Sequence, residues 1–123
     1  MPAAKRETVA MSKIATSRAT AMQAAADREI LLEVTRAFYD HQAAEKMMDA
    51  AKASTAQTVE SLRTLQDRYQ AGLATMTDLM RTQDAERQSR TNYAQAVFRN
   101  ALTYAVLRFA DGTLNQQLAG ELQ

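Results

Sequence analysis

The chain has 123 residues, enough for one ordinary domain, with a formal net charge of +1, 6% aromatic residues, one Pro, three Gly and no Cys. So small a charge gives no electrostatic case for nucleic acid or an anionic membrane, and the missing Cys removes disulfides and thiolate chemistry. Ala, Glu, Gln, Lys, Arg, Leu and Met dominate, the profile of long helices or coiled coil, while Leu, Ile, Val and Phe are too sparse for a compact core.

Met1 to Arg18 carries no apolar core of the kind a signal peptide needs. No run approaches the ~18 apolar residues of a membrane span. As written, the chain is not expected to be exported or to cross a bilayer by itself. Residues 1–29 form an Ala-rich extension whose larger apolar side chains are Val9, Met11, Ile14 and Met22. Helix is expected there, with its packing undetermined.

Helix is expected to run on through residues 30–70. From about Lys5 to Gln70 such a helix would measure about 100 Å at ~1.5 Å rise per residue, so the expected object is elongated. A heptad stripe passes through Ile30, Val34, Ala37, His41, Ala44, Met48, Ala51, Thr55, Thr58, Leu62, Leu65 and Tyr69. Its steps alternate three and four, the spacing of a coiled-coil seam, and its small and polar members suit close approach and partial wetting. Ser54-Thr55-Ala56-Gln57-Thr58 is a soft place, since hydroxyl and β-branched residues disfavour helix by a few tenths of a kcal/mol each, about enough to weaken but not to break it.

The punctuation falls at residues 71–75. Gly72 stands three residues past the seam residue Tyr69, where a left-handed residue ends a helix without Cβ strain. Thr75 is placed to cap the next helix, with Asp78 three residues on completing a shortened capping box and meeting the positive end of the helix dipole. So short a loop forces the two helices antiparallel.

The second helix is expected over 76–111, followed by a non-helical or frayed tail over 112–123 beginning at the Gly112 cap. Antiparallel folding about the turn brings residue i near about 147 − i. That register sets Tyr93 near Ser54, Val97 near Ala50 and Ala51, and Tyr104 near Ala43 and Ala44, large side chains facing small ones. Val97, Phe98, Leu102, Tyr104, Val106, Leu107 and Phe109 cover more than one face and need a contact besides the hairpin partner. The stretch from Arg81 to Asn92 is polar all round, its one apolar residue being Ala85, and is expected to be solvated on several sides or to line a wet space. The first helix outruns the second, which leaves the cluster Ile30, Leu31, Leu32 and Val34 without a partner in the hairpin. Exposing such side chains forfeits about 1.5–3 kcal/mol each, so neighbours are expected. The fold class is all-α: an elongated antiparallel two-helix coiled-coil hairpin with the first helix much longer.

No enzyme is expected. There is one His, no Gly-rich phosphate loop and no nucleophile–base arrangement, and no cofactor or metal is called for. His41 alone cannot make a metal centre and is read as a seam or surface residue. Met47, Met48, Met76 and Met80 are read as packing before soft-metal binding. Arg81, Arg87 and Arg90 interleave with Asp84 and Glu86, the pattern of a solvated face.

Arg68-Tyr69, Gly72-Leu73, Thr75, Asp78-Leu79, Gln83, Asn92-Tyr93, Tyr104 and Gly112-Thr113-Leu114-Asn115 together resemble the TolC-type outer-membrane efflux proteins. The likeness spans about Ile30 to Asn115 and is densest at the turn. In that family three protomers form an outer-membrane β-barrel and a periplasmic α-barrel, and the second helical hairpin of each has a long helix, a tip turn and a shorter return helix. The resemblance implies the outer membrane and periplasm as location, a homo-oligomer (a trimer in the family), and a periplasmic adaptor and inner-membrane pump as partners. It implies an adaptor-docking or gate tip at Tyr69, Gly72, Leu73, Thr75, Asp78 and Leu79. Tyr69 would be the gate aromatic or a helix-end packing residue; Asp78 would cap the helix, with or without a tip role. Ala74 and Arg81 depart from the basic and second acidic residues some members carry there. Barrel strands and a first hairpin are missing, so the chain is expected to be a part of such a duct. The alternative is a free-standing, self-associating coiled-coil module.

Overall fold

The computed structural model describes residues 2–112 and Gly120 and contains two long helices packed against each other. Helix α1 runs Pro2–Gln70 and helix α2 runs Met76–Ala110, with no strand among the described residues. The all-α helical hairpin with a longer first helix is the observed fold. The Thr113-Leu114-Asn115 motif and most of the expected tail lie outside the described residues.

The chain divides into two units, Met1–Arg36 and Ala37–Gln123. In residues 2–36 every side chain is exposed except Ala24 and Val34, which are partly buried. Ala, Lys, Arg, Glu and Met are strong helix formers, so local propensity writes this stretch as helix with little burial to help.

The second unit is the hairpin. Along α1 the buried or partly buried residues from Ala37 onward are Ala37, His41, Ala44, Met48, Ala51, Thr55, Thr58, Leu62, Leu65 and Tyr69, which is the heptad stripe expected from the sequence. Ile30 departs from that stripe: it is 55% exposed. Ala44, at 2%, is the most buried residue of α1, as a methyl-sized side chain must be where two helices come close.

The facing seam of α2 runs through Leu79, Thr82, Glu86, Ser89, Tyr93, Ala96, Asn100, Thr103, Leu107 and Ala110, again alternating three and four. One expectation is corrected here. Val97 and Tyr104 do not sit inward against alanines; they are 40% and 51% exposed, and Ala96, Asn100 and Thr103 take the inward positions. The polar stretch 81–92 is exposed on several sides, as expected, while Glu86 and Ser89 are its inward residues and are 8% and 6% exposed. Both features have one cause. The helical period, set by Leu79 at one end and Leu107 at the other, decides which side chains face the partner, and their polarity does not override it.

The antiparallel register is fixed by contacts across the seam. Thr58 and Ser89 hydroxyls lie 2.6 Å apart, Thr55 Oγ1 donates to the Ser89 carbonyl at 3.2 Å, and His41 Nδ1 lies 3.2 Å from Thr103 Oγ1. The first matches the pairing expected from the turn, and the others fall within about a turn of it. The soft segment around Thr55 and Thr58 stays helical.

Candidate functional site: the tip turn

The tip is built from two helix ends that satisfy their own backbones. Ala71 N–H donates to Asp67 O at 3.1 Å, Gly72 N–H to Tyr69 O at 3.0 Å and Leu73 N–H to Arg68 O at 2.8 Å. The last two bonds are the paired closure of a Schellman motif, which uses up carbonyls that α1 would otherwise leave open. The motif needs a left-handed residue, and Gly72 supplies it with φ +77. A Cβ built there would meet nothing within 4 Å, so the demand for Gly is one of backbone conformation and not of space. Arg68, in the last turn of α1, adds a cation where the helix dipole favours one.

Three residues later α2 begins on a complete capping box. Thr75 takes an extended backbone, φ −90 and ψ 160, and its Oγ1 accepts from Asp78 N–H at 3.1 Å. Asp78 Oδ2 in turn accepts from Thr75 N–H at 3.3 Å. The Thr75 side-chain bond, then the Thr75 backbone bond, hold the Asp78 carboxyl below its ordinary pKa, with smaller help from the positive charges of Arg81 and Arg68. Leu79 N–H donates to Thr75 O at 3.1 Å, the first helical bond of α2.

The six tip residues named from the sequence therefore divide by role. Gly72, Leu73, Thr75 and Asp78 form one continuous reversal and are exposed, whereas Tyr69 and Leu79 are partly buried as the last and first seam residues of their helices. Ala74 is partly buried in the turn, and Arg81 stands exposed one turn along α2. The tip thus presents the apolar side chains Leu73, 70% exposed, and Met76, 53% exposed, beside Asp78, Arg68 and Arg81.

Away from the tip, His41 is a seam residue. Its ring also lies 3.6 Å from Glu45 and 5.5 Å from the Tyr104 ring, whose face carries the Arg108 guanidinium at 5.8 Å. Among the described residues no group of three or more His, Cys, Asp or Glu could hold a metal ion. Arg87 pairs with Asp84 at 3.6 Å, and Arg90 with Glu86, so these arginines are engaged by acids of their own helix. An open groove beside the seam is lined by Gln57, Glu60, Thr64, Arg68 and Thr82, but Glu60 is already bound by Arg63 at 2.6 Å. No helix among the described residues is long and apolar enough to cross a membrane.

The inward residues of α2 were the ones sequence reasoning missed. Large apolar side chains drew attention to Val97 and Tyr104. A three-four count started at Leu79 passes instead through Glu86, Ser89, Ala96 and Thr103, and would have found them.

Comparison with known proteins finds no matching family model, no matching curated protein and no matching solved structure.

Proposed function

We propose that this hairpin is a wall element of a TolC-like efflux or secretion duct, with the turn at residues 71–75 as the tip that meets a periplasmic adaptor. The observation that carries the reading is the tip itself: a Schellman closure on Gly72 followed by the Thr75–Asp78 capping box, between a long helix and a shorter return helix. Two capped ends make a rigid, narrow reversal whose backbone a partner can approach closely. A second observation supports its use inside an assembly. Phe98, Leu102, Val106 and Phe109 form an exposed strip along α2, at spacings of four, four and three, on a face other than the seam. Isolated hairpins do not keep such a strip without a neighbour to cover it.

In this reading the duct wall is made by several copies, the adaptor docks at Leu73 and the flanking turn, and transport selectivity resides in the attached inner-membrane pump. Chemistry is not the hairpin's task. Tyr69 acts as the innermost ring of the tip, and Arg68 and Arg81 around Asp78 give it a less acidic entrance than an acidic ring would. The location that follows is the periplasmic side of the outer membrane.

The test is transport in cells carrying Gly72→Val in the intact gene. A left-handed φ forbids a β-branched side chain, so efflux is expected to fall while the protein still accumulates. Unchanged efflux with normal accumulation contradicts the tip assignment. The exposed apolar strip also suits the second reading, a self-associating coiled-coil module. Sedimentation over a range of concentrations separates the two: reversible self-association of the purified chain with no effect of Gly72→Val on transport favours the module.

A further inference from the structure

We infer that the middle of the hairpin seam, where Ala51, Thr55 and Thr58 face Glu86, Ser89 and Ala96, is built to part and rejoin while both helices stay intact. The inference does not depend on the functional reading above. Its basis is that each of the three hydroxyls on this stretch, those of Thr55, Thr58 and Ser89, has a partner on its own helix as well as one across the seam. Thr55 Oγ1, which donates to Ser89 O, is also 3.0 Å from Ala51 O. Thr58 Oγ1, beside Ser89 Oγ, is also 3.0 Å from Thr55 O. Ser89 Oγ reaches Glu86 O at 2.8 Å. A hydroxyl has one proton, so each holds either its crossing acceptor or its in-helix one. When the helices separate, every one of these donors falls back onto a carbonyl of its own helix and none is orphaned.

The buried carboxylate obeys the same rule. Glu86 is 8% exposed, yet its counterion is Arg90, one turn along the same helix, so its charge does not depend on α1. Apolar attachment is also thin at this level: Ala51 and Ala96 offer methyl groups, and Tyr93 is the one large side chain. Toward the tip, Leu62, Leu65, Tyr69 and Leu79 supply larger apolar contacts, and toward the other end Met48 and Leu107 do. The weak stretch therefore lies between two firmer ones. Parting here costs little in either polar or apolar terms, whereas in an ordinary apolar seam it would expose buried surface.

The chain has no Cys, so two introduced cysteines give unique labels. Gln57→Cys and Thr91→Cys lie on exposed positions at this level. Spin labels there, in a sample diluted with excess unlabelled chain, report the distance between the two helices by electron–electron double resonance. The native seam is expected to give two populations, one of them at longer distance. Thr55→Val, Thr58→Val and Ser89→Ala together remove the fallback chemistry and make the seam apolar. That variant is expected to lose the longer population at least threefold, with helicity unchanged by circular dichroism. A single narrow distance in the native chain overturns the inference, and so does a long population that persists undiminished in the variant. Should the triple variant lose helicity, Ser89→Ala alone is read by the same two criteria.

Discussion

Residues 2–36 and residues 37–70 belong to one continuous helix, yet they are helical for different reasons. In the first stretch Val9, Met11, Ile14 and Met22 are all more than half exposed, and helix rests on local propensity. In the second, a seam residue recurs every three or four positions from Ala37 to Tyr69, and each is buried or partly buried. The difference teaches that helix and hairpin are written separately in this chain. Composition suffices for the helix, while the hairpin needs the period, the small residues at the closest approach and the turn.

The largest test of that contrast is a pair of identical substitutions. Ala44→Leu adds three carbons where the seam leaves 2% exposure and is expected to destabilise the hairpin by about 1–3 kcal/mol in thermal or urea unfolding. Ala10→Leu, on the exposed stretch, is expected to change stability by no more than about 0.5 kcal/mol. Equal effects at the two sites would erase the distinction. Next in size comes the turn. Gly72→Ala places a Cβ in open space at φ +77, so the expected loss of about 1–2 kcal/mol is a backbone term alone. A loss near zero would mean that the turn relaxes and the Schellman closure is dispensable.

The smallest effect concerns the capping box and acid. Asp78 holds its proton less tightly in the folded chain than when unfolded, because Thr75 hydrogen-bonds its carboxylate. Its stabilising contribution is therefore complete above the pKa of the unfolded carboxyl and disappears as pH falls through the lowered folded value. Glu60, lowered by Arg63, adds a contribution of the same sign. Melting followed from neutral pH down to about pH 2 should show a shallower acid decline in Asp78→Asn than in the native chain. Identical slopes would remove Asp78 from the list of groups that stabilise the tip.

Much of this architecture is legible in the residues. Gly72, Thr75 and Asp78 announce the turn because each satisfies a distinct backbone requirement, and the stripe from Ala37 to Tyr69 survives its small and polar members because the period is unbroken. The stripe of α2 is harder to see. Its inward positions carry Glu86, Ser89, Asn100 and Thr103, which look like surface, while Phe98, Leu102 and Phe109 look like core and face outward. A pattern that follows hydrophobicity fails where a seam is polar and an outer face is apolar. Ile30 shows the converse: it keeps the period but is exposed. The tip residues were legible as a turn, and the docking role assigned to them rests on resemblance to the duct family and on the exposure of Leu73.

That role is open to one direct measurement that uses both regions. Leu73 and Met11 are equally accessible, 70% and 71% exposed, but one lies at the tip and the other on the unpaired stretch. A photoreactive amino acid placed at each position in the intact gene, activated in living cells, reports what touches it. Cross-linking from position 73 to a periplasmic adaptor, identified by mass spectrometry and absent from position 11, is the predicted result. Adducts from position 73 only with further copies of this chain, or the same adducts from both positions, would contradict the docking tip.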